Sequence, residues 1–118
     1  MLSNCEVEVR DVSGTAVLAV RGDIDREAEA TVSTAYEEAV ATDPKRVILD
    51  FAETEYINSS GIALIVSVLA RARSEGRGVA AVGLSDHYRE IFEITRLSDF
   101  IELYSDLAAA VEPATPAR

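Results

Sequence analysis

The sequence predicts an α/β fold: one mixed β-sheet with helices packed on it, in the order β-β-α-β-α-β-α-β-α. Three observations predict it. The opening segment alternates apolar and polar residues and turns back at Ser13-Gly14, so the chain starts as a strand hairpin. Short β-rich apolar runs then alternate with segments of helical period, the pattern of strands joined by crossover helices. The chain has 118 residues, 48% of them apolar, enough for one core, and no linker or repeat marks a second.

The elements follow in order. Cys5, Val7 and Val9 alternate with Glu6, Glu8 and Arg10, a half-exposed first strand with Cys5 a small, half-buried member. Thr15 to Val20 is the second strand, ended by Gly22. Asp23 or Asp25 offers an N-cap to a helix whose apolar face is Ala28, Val32, Ala35, Tyr36, Ala39 and Val40 and which stops before Asp43-Pro44. Val47 to Phe51 reads as a central strand covered on both faces, followed by a polar loop from Ala52 to Tyr56. A second helix begins after Ile57-Asn58-Ser59-Ser60-Gly61 and runs to about Ser74. Its apolar stripe is Ile62, Ile65, Val66 and Leu69, with Leu64 and Val68 away from the centre. Val79 to Val82 is the fourth strand. Asp86 to Leu97 is a third helix with Tyr88, Ile91, Phe92 and Thr95 inward. Phe100 to Tyr104 is a short last strand and Ser105 to Val111 a final helical piece. The domain is expected over 1–112, with 113–118 a flexible C-terminal tail.

Composition narrows the function. The formal net charge of −10, from 21 acidic and 11 basic residues, repels phosphate backbones and anionic lipid, so no direct contact with nucleic acid or membrane is expected. Such a surface suits a partner with a basic face. One cysteine and one histidine, Cys5 and His87, allow neither an internal disulfide nor a Cys/His zinc site. A cytoplasmic protein without metal or cofactor is expected. The longest nearly apolar run, Ile62 to Ala70, is too short to span a bilayer.

Asn58-Ser59-Ser60-Gly61 lies where the exit of a buried strand meets a helix start. Free amides and the helix dipole favour an anion there. A phosphate on Ser59 would add roughly −1.5 to −2 charges at the surface. Capping of the helix by Asn58 or Ser59 explains the same residues without any modification. The first turns of the helix are apolar nearly all round, so they are either sunk in the core or covered by another chain, which leaves a homodimer open.

The run Arg46-Val47-Ile48-Leu49-Asp50-Phe51, then Tyr56-Ile57-Asn58-Ser59-Ser60-Gly61-Ile62-Ala63-Leu64, resembles the signature of STAS domains, and most of all bacterial anti-sigma-factor antagonists. Arg21-Gly22-Asp23-Ile24-Asp25 is similar to that family's Gly-acidic-Leu-Asp segment. The resemblance covers essentially the whole chain. It implies a domain that binds an anti-sigma factor, typically a GHKL-type serine kinase, and so frees a sigma factor. It implies phosphorylation of Ser59, with Ser60 as backup, and restoration by a PP2C-type phosphatase. The partner surface it implies comprises Asp23, Asp25, Asn58, Ser59, Ser60, Gly61, Ile62 and Leu64. Asn58 departs from the family's usual Asp, removing a charge beside the incoming phosphate and adding an amide donor. The same fold also serves in stressosome-like complexes and as an accessory subunit of transport ATPases, where phosphorylation is not required.

Two enzymatic or receiver readings are weaker. A serine hydrolase needs a base, but the single His87 sits beside Asp86 at a helix start, and Ser59 lacks a Gly-x-Ser-x-Gly elbow. A receiver domain with Asp50 as acceptor needs a lysine after a late strand, whereas the only lysine is Lys45. No enzymatic activity is expected.

Overall fold

A computed structural model describes residues 4–111. Five strands form one sheet in the order β1-β2-β3-β4-β5. β1 (Cys5–Val12) and β2 (Thr15–Ile24) pair antiparallel; β3 (Arg46–Ile57), β4 (Gly78–Val82) and β5 (Glu102–Tyr104) join β2 in parallel. The helices are α1 (Glu29–Val40), α2 (Ser59–Ser74), α3 (Asp86–Ile94) and α4 (Leu107–Val111). The expected fold and element order are what the structure has, and the 113–118 tail lies outside the described residues.

The core divides by strand alternation. Val7, Val9, Leu18, Val20, Val47, Leu49 and Phe51 meet residues of α1, α2 and α3 on one face, with Phe51 edge-on to Phe92 at 6.4 Å. Val17, Ile48, Ala80 and Val82 meet Ala110 of α4 on the other. β3 reads as a continuous apolar run because both of its faces are covered there. Arg46 holds α4 in place, donating to the Ala110 carbonyl at 2.7 Å and pairing with Glu102 at 3.2 Å.

Several boundaries differ from expectation, each for a local reason. Gly22 does not end β2. It takes φ 92° inside a strand that continues to Ile24, because β1 crosses so closely that a Cβ at 22 would overlap the Asn4 carbonyl. The polar stretch Ala52–Tyr56 is not a loop but the second half of β3. It pairs with the extended end of β2 through two register shifts, and alternating polarity failed to mark it because most of it is solvent-facing. A 3-10 turn, Arg26–Ala28, precedes α1. α3 stops at Ile94, and a second 3-10 turn, Leu97–Asp99, follows Arg96 at φ 68°. Thr95 is exposed and returns its hydroxyl to the Ile91 carbonyl at 2.7 Å, while Phe100 stands 50% exposed outside β5, beneath the Arg73 guanidinium. On α2 the buried line is Gly61, Ile65, Val68, Leu69 and Ala72, so Ile65 and Leu69 face inward as expected, while Val68 replaces Val66, which faces solvent.

Candidate functional site

The ends of β2 and β3 run side by side, Asp23 opposite Tyr56 and Ile24 opposite Ile57, and deliver the chain to α2. The junction is tightly held. The Asn58 amide donates to the Ile24 carbonyl at 3.2 Å. The Asn58 side-chain oxygen accepts from the Gly61 amide at 2.9 Å, and its carbonyl accepts the first intrahelical bond, from Ile62, also at 2.9 Å. Asn58 is therefore the N-cap, with extended backbone, and Ser59 is the first helical residue. Gly61 is required sterically: a Cβ there would overlap the Ile24 carbonyl oxygen, so the first turn of α2 lies directly on the end of β2.

This geometry separates two roles that the sequence left together. The cap belongs to Asn58, and Ser59 is exposed with no hydrogen bond to its hydroxyl among the described residues. Ser60 is exposed too, and it lines a groove of about 280 Å³ between the two helices with Arg26, Glu29, Ala63, Leu64 and Ser67. The Ser59 and Ser60 amides precede the first intrahelical bond, so the helix offers them no acceptor. Ile62 and Leu64 are half-buried, whereas Ala63, Val66, Ser67 and Ala70 are exposed: α2 is not sunk, and one flank of it is open.

The two aspartates stand beside this turn without capping α1. Asp23 lies in β2, its amide bonded to the Asn4 carbonyl at 3.4 Å and its carboxylate accepting from the Asn4 side chain at 3.3 Å. Asp25 caps the 3-10 turn through the Glu27 amide at 3.0 Å. Their charge is felt locally: burial first, then Asp25, Asp23 and Glu6, push the Cys5 thiol above its ordinary pKa and keep it protonated. Cys5 itself is buried rather than half-buried.

Two neighbours escaped the sequence reading. Arg26 faces Ser60 across the groove; nothing in its spacing distinguishes it from any surface arginine. Tyr88, expected only as an inward residue of α3, accepts a hydrogen bond from the Ile57 amide at 2.9 Å. His87 packs edge-on against the Tyr88 ring at 4.9 Å. A cavity of about 690 Å³ lies on the polar sheet face around Arg21, where Glu6 and Glu53 hold that guanidinium at 3.2 and 3.7 Å, and Ser59 does not line it. Among the described residues no cluster of His, Cys, Asp and Glu could hold a metal ion, and no helix is long and apolar enough to cross a membrane.

A mixed sheet entered by an antiparallel hairpin and continued by parallel strands and crossover helices defines a class of domain that comparison places. Residues 7–110 match the family model described as "Mlab, STAS domain", and the chain belongs to the STAS domain family. An anti-sigma-B factor antagonist of Listeria monocytogenes is 31% identical over 83% of this chain and 85% of its own. Among solved structures, an anti-sigma factor antagonist from Mycobacterium paratuberculosis superposes with a TM-score of 0.73 at 26% identity, covering 91% of both chains. A Thermotoga maritima protein reaches a TM-score of 0.79 at 19% identity over 90% of this chain and 92% of its own, a likeness of fold.

Proposed function

We propose that this protein is an anti-sigma-factor antagonist whose unphosphorylated form binds an anti-sigma factor, a GHKL-type serine kinase, and thereby releases a sigma factor. Phosphorylation of Ser59 ends the complex, a PP2C-type phosphatase restores it, and the protein itself catalyses nothing. The names of the Listeria and Mycobacterium relatives support the class of function. The observation that supports the switch is the division at the head of α2: Asn58 caps the helix, which leaves the Ser59 hydroxyl exposed and, among the described residues, unengaged. A phosphate there meets amides that the helix leaves unused and does not unfold the domain. Its charge instead alters the surface formed by Asp23, Asp25, Ser60, Ile62 and Leu64 at the edge of the open flank of α2, whereas Gly61, expected in that surface, is buried against the end of β2.

A pull-down from native extract with wild type and Ser59→Asp tests the reading. Capture of a GHKL-type kinase or anti-sigma factor by wild type alone supports it. Equal capture of one partner by both forms removes the switch and leaves a constitutive STAS subunit of a stressosome-like or transport-ATPase complex. That second reading is favoured by one feature, Asn58 in place of the family's usual Asp.

A further inference from the structure

β3 outruns its neighbour. Its ladder with β4 ends at the pair Asp50–Val82, yet β3 continues to Ile57. At Gly83, with φ 78°, the chain turns away so close to β3 that a Cβ would press on the Ala52 amide. Beyond that point no strand of the described residues lies along this side of β3, and its backbone groups need other partners. The Ala52 amide finds the Asp50 carboxylate at 3.0 Å. The Ile57 amide, the last before the Asn58 cap, finds the Tyr88 hydroxyl at 2.9 Å.

On the opposite side of the same turn, the Ile24 carbonyl receives the Asn58 amide. The strand end is thus clamped between β2 and α3. α3 is itself set at this height by its own cap, Ser85, which accepts from the Tyr88 amide at 3.3 Å. We propose that Tyr88 is a positioning residue of the Ser59 turn: its hydroxyl takes the place of the missing β4 neighbour, fixes Ile57, and through it fixes the Asn58 cap and the direction in which α2 presents Ser59.

This assignment rests on the Ser59 reading for its significance, but its physical content can be measured without any partner. Amide hydrogen exchange on the whole protein compares wild type, Tyr88→Phe and, as the reference for a lost cap, Asn58→Ala. Tyr88→Phe keeps the ring and removes only the acceptor. The expected result is exchange faster by about 5- to 50-fold at Ile57, Gly61 and Ile62, with Val17 and Ile48 unchanged, because removing the acceptor leaves the part-buried Ile57 amide unsatisfied. Faster exchange at Ile57 alone would overturn the proposal, since the bond would then end at the strand.

A second readout is one that general stability does not move. Phosphoserine is incorporated at position 59 during synthesis, and its second ionisation is followed by phosphorus NMR. The amides of an ordered turn favour the dianion, so Tyr88→Phe should shift the titration to higher pH than in the unsubstituted protein. Superimposable titrations would overturn the positioning role. Neither result depends on whether a kinase uses Ser59, which the comparison of wild type with Ser59→Asp decides separately.

Discussion

Asn58 and Ser59 adjoin on the chain and do different work. Asn58 satisfies the Gly61 amide, so Asn58→Ala should cost about 1 kcal/mol in urea unfolding. Asn58→Asp should be nearly neutral, since both residues cap equally well. Under the proposed switch, the choice between them would act on the charge beside a phosphate, and phosphorylation assays on the two forms would report it. Ser59→Asp places a carboxylate in the first turn of α2, where the dipole favours it. Its stability should match wild type or exceed it by about 0.5 kcal/mol, so a lost partner cannot be blamed on unfolding. Gly61→Ala should be the damaging change, at least about 2 kcal/mol, because the Ile24 backbone has no room to yield.

Between elements, the far ends of α1 and α2 are tied by Tyr36, Glu75 and Arg77. The Tyr36 hydroxyl donates to Glu75 at 2.9 Å, Arg77 donates to the same carboxylate at 3.0 Å, and Arg71 lies 4.7 Å over the Tyr36 ring. Arg77 and then Tyr36 hold the Glu75 carboxyl below its ordinary value of 4.5. Burial and the Glu75 carboxylate raise the Tyr36 phenol above 10.0. The two signs frame a window. The Glu75 contribution is present above pH 4.5 and is lost as pH falls through the lower folded value; the Tyr36 contribution is present below pH 10.0 and is lost as pH rises through the higher one. Urea midpoints measured across pH should therefore fall less steeply in acid for Glu75→Gln than for wild type.

At the scale of the whole molecule, charge and shape act together. Asp23, Asp25, Glu27 and Glu29 crowd the β2–α1 connection beside Ser59, while Arg71, Arg73 and Arg77 sit at the far end of α2. In the proposed complex, a partner docking at Ser59 would meet an acidic rim on a chain of net charge −10. Its association rate should fall as salt rises from 50 to about 500 mM, across which screening shortens to well under 10 Å, and stopped-flow mixing with the captured partner would show it.

What the sequence determined was periodic or local. Alternation in β1 and β2, the apolar run of β3 and the helical spacing of α1 are repeated signals, and each names its element without reference to the rest. The turn Asn58-Ser59-Ser60-Gly61 was legible because its residue types suit one local geometry. Tertiary structure decided whatever depended on a neighbour distant in sequence. Ala52–Tyr56 is a strand only because the end of β2 pairs with it, and Gly22 stays inside β2 only because β1 crosses there. Asn58 rather than Ser59 became the cap because the Ile24 carbonyl fixes the Asn58 backbone in an extended form, with its side chain over the Gly61 amide. Tyr88 reached Ile57 because β4 ends early and leaves that amide to be satisfied from α3, a vacancy that no stretch of sequence near residue 88 encodes.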